Sequence, residues 1–144
     1  MLVVMFGCFC DLANSYSLPA LAHRGLTCKL EAMNLPVKHL LILGCGYVGQ
    51  HLAQACLQQG IAVTGTTRSH ERAAELKQAG IQTVVIDTVE GVPESLLVSV
   101  DAVLDSIPLS RHEQGVSAEQ IVWLPQLVAK MSGVKWAGYL STTG

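Results

Sequence analysis

Three glycines form the part of the sequence whose spacing indicates chemistry. They follow the apolar run HLLIL (39–43) and open a helical pattern, and their segment reads Gly44-Cys45-Gly46-Tyr47-Val48-Gly49. In a G-x-G-x-x-G turn the first glycine permits the tight strand-to-helix turn, and the second has no side chain to block a pyrophosphate. The third lets the helix pack closely on the strand. All six residues are therefore predicted to lie at a dinucleotide phosphate, which the N–H groups and dipole of the helix N-terminus would hold.

The end of the second predicted strand bears on which dinucleotide would bind. An NAD site usually places Asp or Glu about 20 residues after the glycines, where it accepts hydrogen bonds from the ribose hydroxyls. The sequence has Thr67, Arg68 and Ser69 at this point, with no carboxylate. A guanidinium can pair in bidentate fashion with a 2′-phosphate, and the two hydroxyls can add donors. This pattern favours NADP over NAD; the alternative is that Arg68 is a solvated loop residue.

Two further segments are expected at the same edge of the sheet. Asp87 follows the third strand and could accept from the adenine amino group or simply cap its loop. Ser106, Ile107 and Pro108 follow the fourth strand, at the carboxyl edge where ligands of open α/β sheets bind, and are expected to border the cofactor. Asp101 and Asp105 flank that strand, but nothing else around them marks an acid–base site.

Alternating short apolar runs and helical patterns define the fold class. Strands are predicted over 39–43, 61–66, 81–86, 102–104 and 136–140. One helix follows the glycines and ends at Gly60, and a second runs over 70–79 behind Ser69 as its N-cap. A third is expected over 117–131, broken or restarted near Pro125. This order predicts an α/β, Rossmann-type doubly wound parallel sheet that is truncated after about the fifth strand.

Composition narrows the classes of protein and partner. Half of the 144 residues are apolar, 14% are charged and the net charge is −2, which is typical of a core-rich globular chain. That balance predicts no nucleic-acid or membrane partner, and a homodimer is left open. The five cysteines do not form a disulfide framework, and the lone pair Cys8 and Cys10 lacks a second pair, so no metal site is expected. The expected location is the cytoplasm.

The first 32 residues differ from the rest. The apolar run 2–9 is too short to span a bilayer, and a positively charged start is missing. Residues 1–32 are interpreted as a disordered extension or targeting segment. An upstream extension before Met33, a secretory signal and a plastid transit peptide, which would imply the stroma, all stay open. Residues 33–144 then form an incomplete NAD(P)-binding domain.

Four segments, LILGCGYVGQHLA, VTGTTRS, VLDSIP and YLSTTG, resemble the short-chain dehydrogenase/reductase superfamily over about 38–144. The resemblance is to the extended or atypical branch, which includes NAD-dependent epimerases and dehydratases. It implies an oxidoreductase or sugar-nucleotide epimerase or dehydratase in which a Ser/Thr hydroxyl after the fifth strand orients the substrate beside a Tyr-x-x-x-Lys pair. Thr142 would be that hydroxyl donor, with Ser141 as the near alternative.

Two departures qualify the resemblance. Leu43 stands where the family's commoner motif has its first glycine, which favours an atypical subgroup. No Tyr-x-x-x-Lys follows YLSTTG, so the chain is expected to bind the cofactor but to be inactive alone, with a small-molecule substrate only in a longer form. A stand-alone nucleotide-sensing regulatory module and the cofactor domain of another dehydrogenase class are the alternatives.

Overall fold

A five-stranded parallel sheet forms the centre of the molecule. The computed structural model describes residues 37–107, 111–112, 115–116 and 125–140. The sheet strands are β1 (His39–Leu43), β2 (Ala62–Thr67), β3 (Gln82–Val85), β4 (Ala102–Asp105) and β7 (Trp136–Tyr139); β5 (Arg111–His112) and β6 (Gly115–Val116) pair separately as an antiparallel ribbon. The helices are α1 (Tyr47–Gln58), α2 (His70–Gln78), α3 (Glu94–Ser99) and α4 over 125–130, with a 3₁₀ turn at Val89–Gly91.

The strand order identifies the topology. The order across the sheet is β3-β2-β1-β4-β7, with every neighbouring pair parallel. The chain therefore moves outward from β1 to β3, returns to β4 beside β1 and continues outward on the other side. This order reverses between β1 and β4, and in open α/β sheets ligands bind at the carboxyl ends of the strands beside such a reversal. The predicted Rossmann-type doubly wound fold is confirmed.

Two apolar layers cover the faces of the sheet. Alternate residues of β1 enter different layers: Leu40 and Ile42 pack with α1 and α2, whereas Leu41 and Leu43 pack with α3 and α4. All four of these side chains are fully buried. A strand buried on both faces explains why HLLIL is a continuous apolar run rather than an alternating one.

Helices α1 and α2 begin or end at residues suited to helix capping. Ser69 precedes α2 in extended conformation and its side chain accepts a 3.2 Å hydrogen bond from the Arg72 N–H. Gly60 and Gly80 follow α1 and α2 with φ of 78° and 82°, the left-handed conformation that glycine adopts at low cost. Pro125 is the first residue of α4, where a missing N–H costs nothing. The earlier part of the predicted third helix, 117–124, lies outside the described residues.

The amino edge of the sheet is held by a carboxylate. Asp101, just before β4, accepts hydrogen bonds from the backbone N–H groups of Lys38 and His39 at 3.0–3.1 Å. Its side chain also lies 3.5 Å from Lys135 Nζ. Asp101 therefore joins the starts of β1, β4 and the segment before β7, and its role is structural. Within the described ranges no helix has the length and apolar character needed to cross a membrane.

Candidate dinucleotide-binding site

The glycine turn is anchored to the neighbouring strand β2. Gly44 has φ of +71°, and its N–H donates a 2.9 Å hydrogen bond to Thr66 Oγ1. The next residue, Cys45, donates its N–H to the Thr66 carbonyl at 2.8 Å. A left-handed residue is what the sharp reversal from β1 into α1 requires, and glycine adopts it without a steric penalty. Thr66 thus fixes the position of the turn relative to the end of β2.

The second glycine faces open space. Gly46 is the N-cap of α1, and a Cβ atom built on it would meet no described atom within 4 Å. Packing within the described part of the protein therefore does not require glycine here. In the same part of the chain, no side chain caps α1 and its first turn carries no acidic residue, so the N–H groups of that turn are left to an incoming anion.

The third glycine makes close contact with the sheet. A Cβ on Gly49 would lie 3.5 Å from Cys45 Sγ and 3.2 Å from Ile42 Cγ2. The distance to Ile42 is shorter than an ordinary van der Waals contact. Gly49 therefore lies on the face of α1 that is buried against β1. The three glycines thus occupy a turn, an open face and a packing contact, and their place at a dinucleotide phosphate stays a prediction.

The intervening residues have different exposures. Cys45 is 2% exposed and its side chain faces Gly65 of β2, so only its backbone is available to a ligand. Burial raises the pKa of the Cys45 thiol to about 11, against a smaller lowering effect of the Arg72 charge. Tyr47 is exposed and packs edge-on against the His51 ring, with centroids 4.4 Å apart, while Val48 is half-buried.

The segment after β2 lies at the same edge of the sheet. Arg68 is exposed, and the flanking Thr67 and Ser69 hydroxyls accept backbone hydrogen bonds from Ser69 and Arg72 at 3.2 Å each. These hydrogen bonds hold the loop between β2 and α2 in one conformation. They leave Arg68 exposed at the carboxyl end of β2.

Arg72 was not singled out in the sequence, yet it joins the two helices of the site. Its guanidinium donates to Glu75 Oε2 at 2.7 Å and to Gln50 Oε1 of α1 at 2.6 Å. The Glu75 contact, three residues away on the same helix, could have been found from spacing. The Gln50 contact could not, because it depends on how α1 and α2 pack together.

The turn after β4 forms the opposite side of the site. Ser106 donates its N–H to the Leu43 carbonyl at 2.9 Å, and Ile107 donates its N–H to Asp105 Oδ1 at 2.9 Å. The Ile107 side chain lies against the glycine turn, because a Cβ on Gly44 would be 2.6 Å from Ile107 Cγ1. Ser106 and Ile107 therefore lie beside the glycine turn, and their contact with a cofactor stays a prediction.

Other candidates fall further away or outside the described residues. Asp87 is exposed, two residues beyond the end of β3, and stays a candidate for the adenine end. Pro108, Ser141 and Thr142 lie outside the described residues. Tyr139, the last residue of β7, pairs in register with Asp105, and burial together with the Asp105 charge raises the pKa of its hydroxyl.

Metal chemistry has no candidate centre in the described ranges, where no group of three or more His, Cys, Asp or Glu side chains could hold an ion.

A glycine turn at the end of β1, beside a 3-2-1-4 strand order, defines an NAD(P)-binding Rossmann domain of the oxidoreductase type. The family model described as NADP oxidoreductase, coenzyme F420-dependent, matches residues 39–121, which is more than half of the chain. The chain belongs to this family. No curated protein matches it.

Solved structures agree with the fold. A conserved protein of unknown function from Silicibacter pomeroyi DSS is 26% identical, with a TM-score of 0.57 over 74% of this chain and 35% of its own. Alcohol dehydrogenase TADH from Thermus sp. ATN1 is 17% identical, with a TM-score of 0.54 over 80% and 32%. Dipicolinate synthase A chain from Bacillus subtilis is 13% identical, with a TM-score of 0.54 over 84% and 45%. The chain thus spans about a third to under half the length of these proteins.

Proposed function

We propose that the chain is the NADP-preferring nucleotide-binding portion of an oxidoreductase, or of a sugar-nucleotide epimerase or dehydratase, of the short-chain dehydrogenase/reductase type. The nicotinamide cofactor, when bound, supplies hydride chemistry. This chain's contribution is to hold the cofactor: the N–H groups at the start of α1 meet the pyrophosphate, and the open face of Gly46 leaves the space for it. The residues present therefore fit a dinucleotide.

The observation that carries the preference for NADP is the end of β2. Arg68 is exposed there, and no carboxylate stands in the adjoining segment 65–69. Thr66 links this end of β2 to the glycine turn through the 2.9 Å hydrogen bond from the Gly44 N–H. A ribose whose pyrophosphate lies at the turn would bring its 2′ position toward the β2 end, where a guanidinium favours a phosphate and a carboxylate would repel it.

Substitution of Arg68 tests this preference. Arg68→Ala is expected to weaken NADPH binding about tenfold or more, because a charge-assisted hydrogen bond contributes roughly 1.5–3 kcal/mol, and to leave NADH binding unchanged. Lys77→Ala is the matched control, since Lys77 is an exposed cation in the last turn of α2, the helix that follows the Arg68 loop. Cofactor fluorescence titration of the full chain measures both affinities. Equal affinities of the wild-type protein for NADPH and NADH would contradict the NADP assignment.

We further propose that the substrate-orienting hydroxyl belongs to Thr142 or Ser141, which follow β7 in the sequence. The edge of the sheet where β7 ends is the edge that carries the glycine turn. Tyr139 precedes this hydroxyl segment and is not the expected Tyr-x-x-x-Lys tyrosine, so residues 1–144 alone are expected to give no turnover. NADPH oxidation by this chain with simple carbonyl substrates would contradict that expectation.

A further inference from the structure

A buried carboxylate stands at the carboxyl end of β4. Asp105 is 1% exposed, although its neighbours on the same face of the sheet, Leu43 and Val103, belong to an apolar layer. Among the acidic residues that the structure describes, Asp105 is the buried one. Removing an ionised group from water is costly, and an apolar residue of similar size is often as stable or more stable in such a place. Fold stability therefore gives little reason for a carboxylate here.

The carboxylate shapes the turn that follows. Asp105 Oδ1 accepts the Ile107 N–H at 2.9 Å, while the strand on either side is fixed by hydrogen bonds from Ser106 N–H to Leu43 and from Leu140 N–H to Asp105 O. A side-chain acceptor two residues back turns the chain sharply, as in an Asx turn. The turn brings the Ile107 side chain against Gly44, so closely that a Cβ built on Gly44 would lie 2.6 Å from Ile107 Cγ1.

We propose that Asp105 is a positioning residue for the dinucleotide: through the Ile107 N–H it holds the 105–107 turn against the glycine turn, and so fixes the second wall of the cofactor site. The inference rests on the proposed function. It assigns the carboxylate a purpose in ligand binding, since its hydrogen bond from the Ile107 N–H lies at the turn that borders the site.

Asp101, which immediately precedes the same strand β4, provides a matched control. It also accepts backbone N–H groups through its carboxylate, but it does so at the amino edge, beside Lys38 and His39. Asp101 and Asp105 are four positions apart along extended chain, so their Cα atoms lie roughly 13 Å apart, at about 3.3 Å per residue. Loss of the Asp101 carboxylate should destabilise the fold without altering the cofactor site.

The test compares Asp105→Val, Asp105→Asn and Asp101→Val in the full chain. NADPH affinity is measured by fluorescence titration at a temperature where circular dichroism shows each variant folded. Asp105→Val is expected to weaken NADPH binding at least about fivefold, the worth of one net hydrogen bond, whereas Asp105→Asn keeps the oxygen acceptor and stays within about twofold of wild type. Asp101→Val is expected to lower Tm and leave NADPH affinity unchanged.

Several results would overturn the inference. These are an Asp105→Val variant that binds NADPH like wild type, an Asp105→Asn variant that loses as much affinity as Asp105→Val, and an equal loss of affinity in Asp101→Val. Failure of Asp105→Val to fold would also overturn it, because the carboxylate would then serve the fold. If the wild-type chain binds no NADPH, the proposed function itself fails, which distinguishes that outcome from all the others.

Discussion

Replacing Gly46 with valine should separate cofactor binding from folding. The Gly46 backbone has φ of −80° and ψ of −156°, which any residue adopts, and a Cβ there meets no described atom within 4 Å. Gly46→Val is therefore expected to lower the free energy of unfolding by no more than about 1 kcal/mol, since valine is a poorer helix N-cap than glycine but meets no steric barrier here. Its side chain would, however, fill the space that the pyrophosphate needs. Loss of two charge-assisted hydrogen bonds, at about 1.5 kcal/mol each, weakens NADPH binding by more than about a hundredfold.

Gly44→Ala gives the opposite combination and serves as the comparison. At φ of +71° an alanine costs about 1–2 kcal/mol, and its Cβ would lie 2.6 Å from Ile107 Cγ1, which adds an overpacking cost of about 1–3 kcal/mol. A loss of about 2 kcal/mol or more lowers the Tm of a domain of this size by about 8 °C or more.

For both variants, Tm is measured by thermal unfolding with circular dichroism, and NADPH affinity is measured by fluorescence titration. The expected pattern is a Gly46→Val protein with a Tm close to that of wild type and no NADPH response, and a Gly44→Ala protein with a clearly lower Tm. A Gly46→Val protein that titrates with NADPH like wild type would refute the reasoning. A Gly46→Val protein that loses as much stability as Gly44→Ala would refute it as well.

Three other predictions concern stability and thiol chemistry. Burial lowers the pKa of His39, so the stability that neutral His39 contributes is present above the ordinary pKa of 6.5 and is lost as the pH falls below it. Between pH 7.5 and about 5.5, the Tm of the wild-type protein should therefore fall more than the Tm of His39→Gln. Parallel curves of Tm against pH for the two proteins would argue against this. Burial raises the pKa of the Cys45 and Cys56 thiols to about 11. At about pH 8, iodoacetamide should therefore label both thiols in urea but neither in the folded protein, as measured by mass spectrometry. Rapid labelling of Cys45 in the folded protein would contradict the buried geometry. Thr66→Val removes the acceptor of the Gly44 N–H and should cost about 1–3 kcal/mol in urea unfolding, whereas an unchanged midpoint would show that this hydrogen bond does not anchor the turn.

Local signals allowed the first half of the fold to be predicted. The run HLLIL is β1 with the predicted bounds, and β2 begins and ends one residue later than expected. Ser69 is an N-cap because its hydroxyl can reach a backbone N–H three residues ahead, a relation contained within one turn of chain. The glycine positions could be predicted for the same reason, since a strand, a turn and a helix in succession restrict what each glycine can do.

Features that depend on distant contacts could not be predicted. Helix α3 has six residues, too few to show a helical period, and it forms because Leu97 packs into the apolar layer on one face of the sheet. The Cys45 side chain can pack against β2 only because residue 65 of that strand is glycine. A Cβ on Gly65 would lie 2.7 Å from Cys45 Cβ. The buried Asp105 likewise had no signal in the sequence, because an aspartate at a strand end is ordinarily exposed.

Backbone amide shifts report most directly on the claim that the carboxyl edge of this sheet binds a dinucleotide. In ¹⁵N-labelled full-length chain, NADPH is predicted to move the amide signals of Gly46, Tyr47 and Val48 most, while those of His39 and Asp101 at the opposite edge stay in place. Saturating NADPH that leaves the glycine-turn amides unmoved, or that moves mainly the amino-edge amides, would contradict the account.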